Sequence, residues 1–308
     1  MKKTSGRILF SVLILAGIIV FTVSPEKRPL TEGIRQASGS DFIQLSDGFC
    51  EYQLTGPADG TPVVLVHGLS VPYFDWDGQY QVLGEAGYRV LRYNHYGRGL
   101  SDRPRTEYNS QLYVRQLKDL IDSQGWEKVD LVVHSMGGAV AVKFTETYPD
   151  AVDRIVFISP VLHMAEDNSG ITLVRIPVLG DLMAGTALSG ILSSRADDLF
   201  SSSGIEEAGL YSQMFREQTR YYGFSRSVKS LFRNNMVDDL SDSYRTVHPG
   251  SSFLIWGTED QSVSEEHIQR IRNILPGMET VILKDTGHMP NMEKRELVNS
   301  LILDFLKS

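Results

Sequence analysis

Val129-Asp130-Leu131-Val132-Val133-His134-Ser135-Met136-Gly137-Gly138 is the stretch whose reading decides the fold. Four of its first five residues are apolar and three of those are β-branched valines, and residues 136–148 carry apolar side chains at three- and four-residue intervals. A strand is therefore predicted to run into a helix, with Ser135 on the sharp turn between them. Gly137 and Gly138 keep side chains out of the crowded junction, and the helix N-terminus favours negative charge beside the serine oxygen.

Outward from this turn the pattern repeats. Strands are predicted over 62–66, 88–93, 129–133, 153–158, 252–256 and 280–283, with an antiparallel strand over 49–55 at the sheet edge. Helices are predicted over 109–124, 136–148, 264–275 and 292–307. Alternation of this kind makes a mainly parallel sheet flanked by helices. It stops after Ser159-Pro160 and resumes near Ser251, leaving about ninety residues with helical segments and no convincing strand. The expected organisation is an N-terminal segment over 1–28, a core over 29–160 and 251–308, and a helical cap inserted over 161–250. Most apolar residues of the insertion, such as Met164, Leu173, Ile176, Leu182 and Met214, are read as packing between cap and core.

Three further segments sit at predicted strand ends. Val66-His67-Gly68-Leu69 closes an early strand, Trp256-Gly257-Thr258-Glu259-Asp260 closes a late one, and Asp285-Thr286-Gly287-His288 comes after the last. Successive parallel strands deliver Asp260 and His288 to the same sheet edge, where ligands bind in open α/β sheets. The chain order Ser135, Asp260, His288 is the order that goes with a serine on a strand-to-helix turn.

The whole set resembles the α/β-hydrolase superfamily, in particular its capped serine esterase and lipase branch, over residues 45–308 apart from the cap. Ser135 lies in a version of that superfamily's G-x-S-x-G elbow, with Val133 at the first glycine position. Asn94-His95-Tyr96-Gly97-Arg98-Gly99-Leu100-Ser101-Asp102-Arg103-Pro104 resembles its D-x-x-G-x-G-x-S-D-x-P loop, with Asn94 in place of aspartate. The resemblance implies an α/β-hydrolase fold with Ser135 as nucleophile, His288 as general base and Asp260 as the acid that orients it. It also implies an oxyanion hole from the backbone amides of Leu69 and Met136. Glu259 stands one position short of the expected acid. Strand neighbours face opposite ways, so His134 should turn away from Ser135, while His95 could border the site. His163, His248 and His267 look like cap, connector and exposed-helix residues.

The expected reaction is carboxylic ester hydrolysis through an acyl-enzyme, on a lipid-like or monoacylglycerol-like substrate suggested by the apolar cap. Carbon–carbon bond hydrolases, amidases, perhydrolases and a non-catalytic binding protein on this scaffold stay open. No cofactor and no metal is expected. The 308 residues carry 30 Lys+Arg against 38 Asp+Glu, a net charge of −8, and no basic block outside the extreme N-terminus, so nucleic acid is not an expected partner. Cys50 is the sole cysteine and cannot form an intrachain disulfide.

At the N-terminus, Lys2, Lys3 and Arg7 precede the uncharged run Ile8–Val23. This is read as a membrane anchor with the catalytic domain on the exported side, or as a cleaved secretion signal.

Overall fold

Eight strands form one sheet in the order β1-β2-β4-β3-β5-β6-β7-β8 in this computed structural model, which describes residues 24–308 apart from Ser203 and Asn235. The strands are β1 (Asp41–Leu45), β2 (Gly48–Thr55), β3 (Pro62–Val66), β4 (Arg89–Tyr93), β5 (Val129–His134), β6 (Val152–Ile158), β7 (Ser252–Gly257) and β8 (Glu279–Leu283). The first two join antiparallel at one side, and β4 to β8 with β3 run parallel. This is the α/β-hydrolase fold that the sequence implied.

Strand residues of alternating parity face two helical layers, as the period of two requires. Val63, Leu65, Val132 and Val156 pack with helices Asp77–Glu85 and Arg295–Lys307. Val64, Val66, Leu131 and Val133 pack with helices Ser110–Ser123, Met136–Thr147 and Glu265–Ile274. A sheet covered on both faces must read as continuous apolar runs, and all six residues of β5 and of β7 are buried. Strand β5 lies near the middle of the sheet, paired with β3 and β6, so the turn at its end stands between the loops of both neighbours.

The six strands predicted from apolar runs are all present within a residue or two of their expected ends. Residues 49–55 form a strand as predicted, but β1 lies outside it and takes the edge. The last predicted helix is two, Pro290–Glu293 and Arg295–Lys307, separated by Lys294 at φ −125 and ψ 44. Helices Glu32–Ser38 and Asp77–Glu85 are additions to the sequence-based expectation. Between β6 and β7, residues 164–244 form helices and, among the described residues, no named strand.

The membrane attachment and exported location expected from the N-terminus are corrected. Ile8–Val23 lies outside the described residues, and among the described residues no helix is long and apolar enough to cross a membrane. The end of the expected linker is docked on the body of the protein. Glu26 accepts the amides of Gly223 and Ser225 at 2.7 and 2.6 Å, and the amides of Lys27 and Arg28 both reach Arg220 O at 2.9 and 3.0 Å.

Candidate active site

Ser135 occupies a conformation that few side-chain-bearing residues adopt, φ 52 and ψ −117, between the last residue of β5 and the first of helix Met136–Thr147. Such strain persists only where the surroundings hold it. Here Ser135 N donates to Ile158 O at 3.0 Å, and Ser135 O accepts from Gly138 and Val161. The hydroxyl does not cap its helix, which leaves it free to point off the turn. Gly137 has to be glycine for the turn to close, because a Cβ there would lie 2.2 Å from Val66 O.

The loops after β7 and β8 are laced together, with Thr258 N donating to Leu283 O and Glu259 N to Thr286 O. They deliver Asp260 and His288 to the serine. His288 Nε2 lies 3.1 Å from Ser135 Oγ, and His288 Nδ1 lies 3.0 and 2.9 Å from the two Asp260 oxygens. Asp260 Oδ1 also accepts the amides of Ser262 and Val263 at 2.8 and 2.9 Å. Burial by itself would raise the Asp260 pKa; the His288 charge and these hydrogen bonds outweigh it and hold the group below the usual carboxylate range. All three residues are at most 9% exposed. Glu259, one residue away, is exposed to solvent and no bond joins it to His288.

Leu69 follows a glycine that passes close to Ser135, since a Cβ on Gly68 would sit 3.2 Å from Ser135 Cβ. Met136 is the residue after the serine. The loop bearing Leu69 is fixed from behind: Arg98 Nε donates to Leu69 O, and Gln218 Nε2 donates to Ser70 O at 2.7 Å. Arg98 is itself buried and reaches Ser227 Oγ at 2.7 Å, so the inserted helices and the glycine-rich loop grip the same segment. Sequence reasoning misses these roles of Arg98 and Gln218, because both act on carbonyls of residues far away in the chain.

The histidines and Asn94 compare with expectation case by case. His134 avoids Ser135 but borders the site, contacting Asp75 and the carbonyl of His288. His95 is buried behind the Leu69 loop against His67. His163 is half-buried beside Glu166 and His248 is exposed. His267, expected on an exposed helix face, is buried and faces Glu166 at 3.4 Å. Asn94 Oδ1 accepts Tyr73 N at 2.7 Å while Nδ2 donates to Glu51 Oε2 at 2.5 Å. An ionised aspartate could not make the second bond, whereas the amide donates to Glu51 at any pH. Among the described residues, no group of three or more His, Cys, Asp or Glu is placed to hold a metal ion.

A family model described as the alpha/beta hydrolase family matches residues 63–301. Over 286 residues the chain is 26% identical to AB hydrolase superfamily protein YfhM of Bacillus subtilis, covering 87% of this chain and 97% of that one. Over 285 residues it is 27% identical to a 2-hydroxy-6-oxononadienedioate/2-hydroxy-6-oxononatrienedioate hydrolase of Paraburkholderia phymatum, covering 88% and 96%. Among solved structures, the enol-lactonase from Burkholderia xenovorans matches with a TM-score of 0.72 at 19% identity, over 87% of this chain and 100% of that one. At that identity the likeness is one of fold.

Proposed function

The chain belongs to the alpha/beta hydrolase family, and on that footing we propose that it is a serine hydrolase that cleaves carboxylic esters through an acyl-enzyme on Ser135. The observation that carries this reading is the linear arrangement Ser135 Oγ, His288 Nε2, His288 Nδ1, Asp260, every link within 3.1 Å.

His288, as neutral imidazole, takes the proton of Ser135 as its oxygen attacks the ester carbonyl carbon. Asp260 keeps Nδ1 protonated, so that Nε2 is the basic nitrogen, and stabilises the imidazolium that forms. The amides of Leu69 and Met136 donate to the oxyanion. The imidazolium then protonates the departing alkoxide, leaving the acyl group on Ser135. Water, deprotonated by His288, attacks the acyl carbon, and the proton returned to Ser135 completes the cycle.

Residues 161–250 act in this proposal as a cap over the serine. Leu173, Leu182 and Met214 on its helices, with Ile176 just after one of them, are expected from the sequence to pack against the core but are 38–44% exposed; apolar side chains left uncovered in this way favour a substrate with an acyl or alkyl chain. The relative from Paraburkholderia phymatum supports a second reading, in which the same three residues hydrolyse a carbon–carbon bond of a 2-hydroxy-6-oxo-dienedioate, water supplying the hydroxyl of the new carboxylic acid and a proton to the departing carbon. Parallel assays of p-nitrophenyl butyrate and a 2-hydroxy-6-oxo-dienoate test the two. The ester is expected to be turned over with the higher kcat/KM, and a preference for the dienoate would overturn the ester assignment.

A further inference from the structure

Three buried histidines other than His288 surround the candidate site, and their hydrogen-bond partners assign each a different role. His67 Nδ1 lies 2.8 Å from Gly68 O, to which it must donate, while its Nε2 accepts the His95 amide at 3.0 Å. His95 Nε2 lies 3.0 Å from His67 O and must donate to it. One ring proton on each accounts for these bonds, and His95 Nδ1 has no hydrogen-bond partner among the described residues. Burial holds both pKa values below the ordinary range, that of His95 down to about 3, with the Arg98 charge acting the same way on both.

His134 is different. Its Nδ1 lies 2.7 Å from Asp75 Oδ2 and its Nε2 lies 2.8 Å from the backbone oxygen of His288. Neither a carboxylate nor a carbonyl has a proton to give, so both ring nitrogens must donate. Asn291 Nδ2 donates to Asp75 Oδ1 at 3.0 Å and to Asp75 O at 2.7 Å, which holds the Asp75 side chain in place against His134. The His134 and Asp75 side chains are 3% and 0% exposed.

We propose that His134 and Asp75 form a second histidine–carboxylate pair, an imidazolium and a carboxylate, that grips the main chain of His288 and so positions its ring against Ser135. The proposal rests on the serine-hydrolase reading of the site. Asp260 fixes the orientation of the His288 ring but not the place of its backbone. That place is set by Glu293, which accepts the amides of Gly287 and Met289 at 2.6 and 3.0 Å, and by His134, which holds the carbonyl between them. His134 is also the residue before the nucleophile. One strand end therefore carries the serine and, through its neighbour's ring, the backbone of the base, a coupling that does not pass through the inserted helices or a substrate.

The titratable groups facing His134 are Asp75 from the turn at 73–76, Asp260 and His288 from the loops after β7 and β8, and His67 at the end of β3. Burial lowers the His134 pKa, but the Asp75 charge and hydrogen bond and the His288 carbonyl overcome it and leave it raised. The sign agrees with the donor count.

Nitrogen NMR of the full chain labelled at histidine reads the protonation state without any mutation. At about pH 7.5 both ring nitrogens of His134 are expected in the protonated range, against one each for His67 and His95; a neutral His134 ring overturns the proposal. Kinetics then test positioning. His134→Gln is expected to lower kcat for p-nitrophenyl butyrate by roughly 10- to 100-fold with KM nearly unchanged, the scale of a small misplacement of a reacting group. Asp75→Asn, which leaves His134 one ring proton for the His288 carbonyl, should lose less. Folded variants that both keep kcat within twofold of the parent would contradict positioning. Absence of ester hydrolysis in the parent protein would instead strike the proposed function, leaving the NMR result to stand by itself.

Discussion

His134 and His288 lie with their ring centroids 5.0 Å apart, yet only His288 reaches the hydroxyl of Ser135. The two rings are divided by what holds them: Asp260 orients one toward the serine, and Asp75 orients the other toward the first one's backbone. The same pair of residue types thus appears twice within one site, once facing the Ser135 hydroxyl and once facing the main chain.

The carboxylate paired with His288 is the first point to test. Asp260→Asn is expected to leave the fold intact and lower kcat by up to about 10⁴, since the histidine then loses the acceptor that fixes its tautomer. Glu259→Gln should change kcat less than twofold, because its side chain is exposed and unconnected to His288. Steady-state kinetics of both variants decide it, and the reverse ranking would move the acid to Glu259.

Asn94→Asp is expected to destabilise the protein even though it restores the residue usual for the resembling loop. The amide that donates to Glu51 becomes a second carboxylate in a buried site, and two such groups share a site only if one stays protonated. A carboxyl whose folded pKa is raised contributes stability at low pH that is lost as pH rises. The melting temperature should therefore fall by the equivalent of about 1–3 kcal/mol at pH 8 and much less near pH 5. An equal loss at both values would point to packing instead of charge.

Asp130, at the opposite end of β5 from Ser135, offers a stability test away from the site. Burial, with Asp153 adding to it against Arg154, pushes its carboxyl up to about 6. The folded state favours the neutral acid, so this contribution is present below the ordinary carboxylate pKa and is lost as pH rises through about 6. Asp130→Asn should raise the melting temperature at pH 8 by the equivalent of about 1–2 kcal/mol, with no gain near pH 4. Differential scanning calorimetry at the two pH values checks the sign.

The proposed cap is expected to set an acyl-chain preference. If apolar side chains over Ser135 form a wall for the substrate chain, each added CH₂ should contribute about 0.8 kcal/mol, or close to fourfold in kcat/KM, until the space is filled. A series of p-nitrophenyl esters from acetate to palmitate, kept below aggregation, should rise and then level off. Monotonic decline from acetate would reject the chain-binding role while leaving Ser135 untouched.

What the sequence disclosed and what it withheld divide along contact distance. The parallel strands were legible because a strand buried on both faces writes its burial into consecutive residues, as in Val129–Val133. Ser135 and Asp260 could be singled out because each closely follows such a strand, and His288 because it comes after the apolar run Val281–Leu283 of edge strand β8; the structure brings the three together. Strand β1 was missed because Asp41 and Gln44 break its apolar residues into pieces of two and one, so it carries no apolar run. Helix Asp77–Glu85 was missed because Gly78 and Gly84 and four polar or acidic residues dilute its periodicity. Alternation along the strand correctly turned His134 away from Ser135, but its real partners are 59 and 154 residues distant. The N-terminal run invited a membrane reading on composition alone, and the docking of Glu26 on residues 223 and 225 had no local signature.

The central claim is that His288 and Asp260 make Ser135 a nucleophile, and covalent labelling with a fluorophosphonate, read by peptide mass spectrometry, tests it most directly. The account predicts one adduct per chain, on the peptide containing Ser135, that disappears in Ser135→Ala and falls by orders of magnitude in His288→Ala, in step with ester hydrolysis. An adduct on another residue, or a Ser135→Ala protein that keeps more than a few per cent of the parent's hydrolysis, would contradict it.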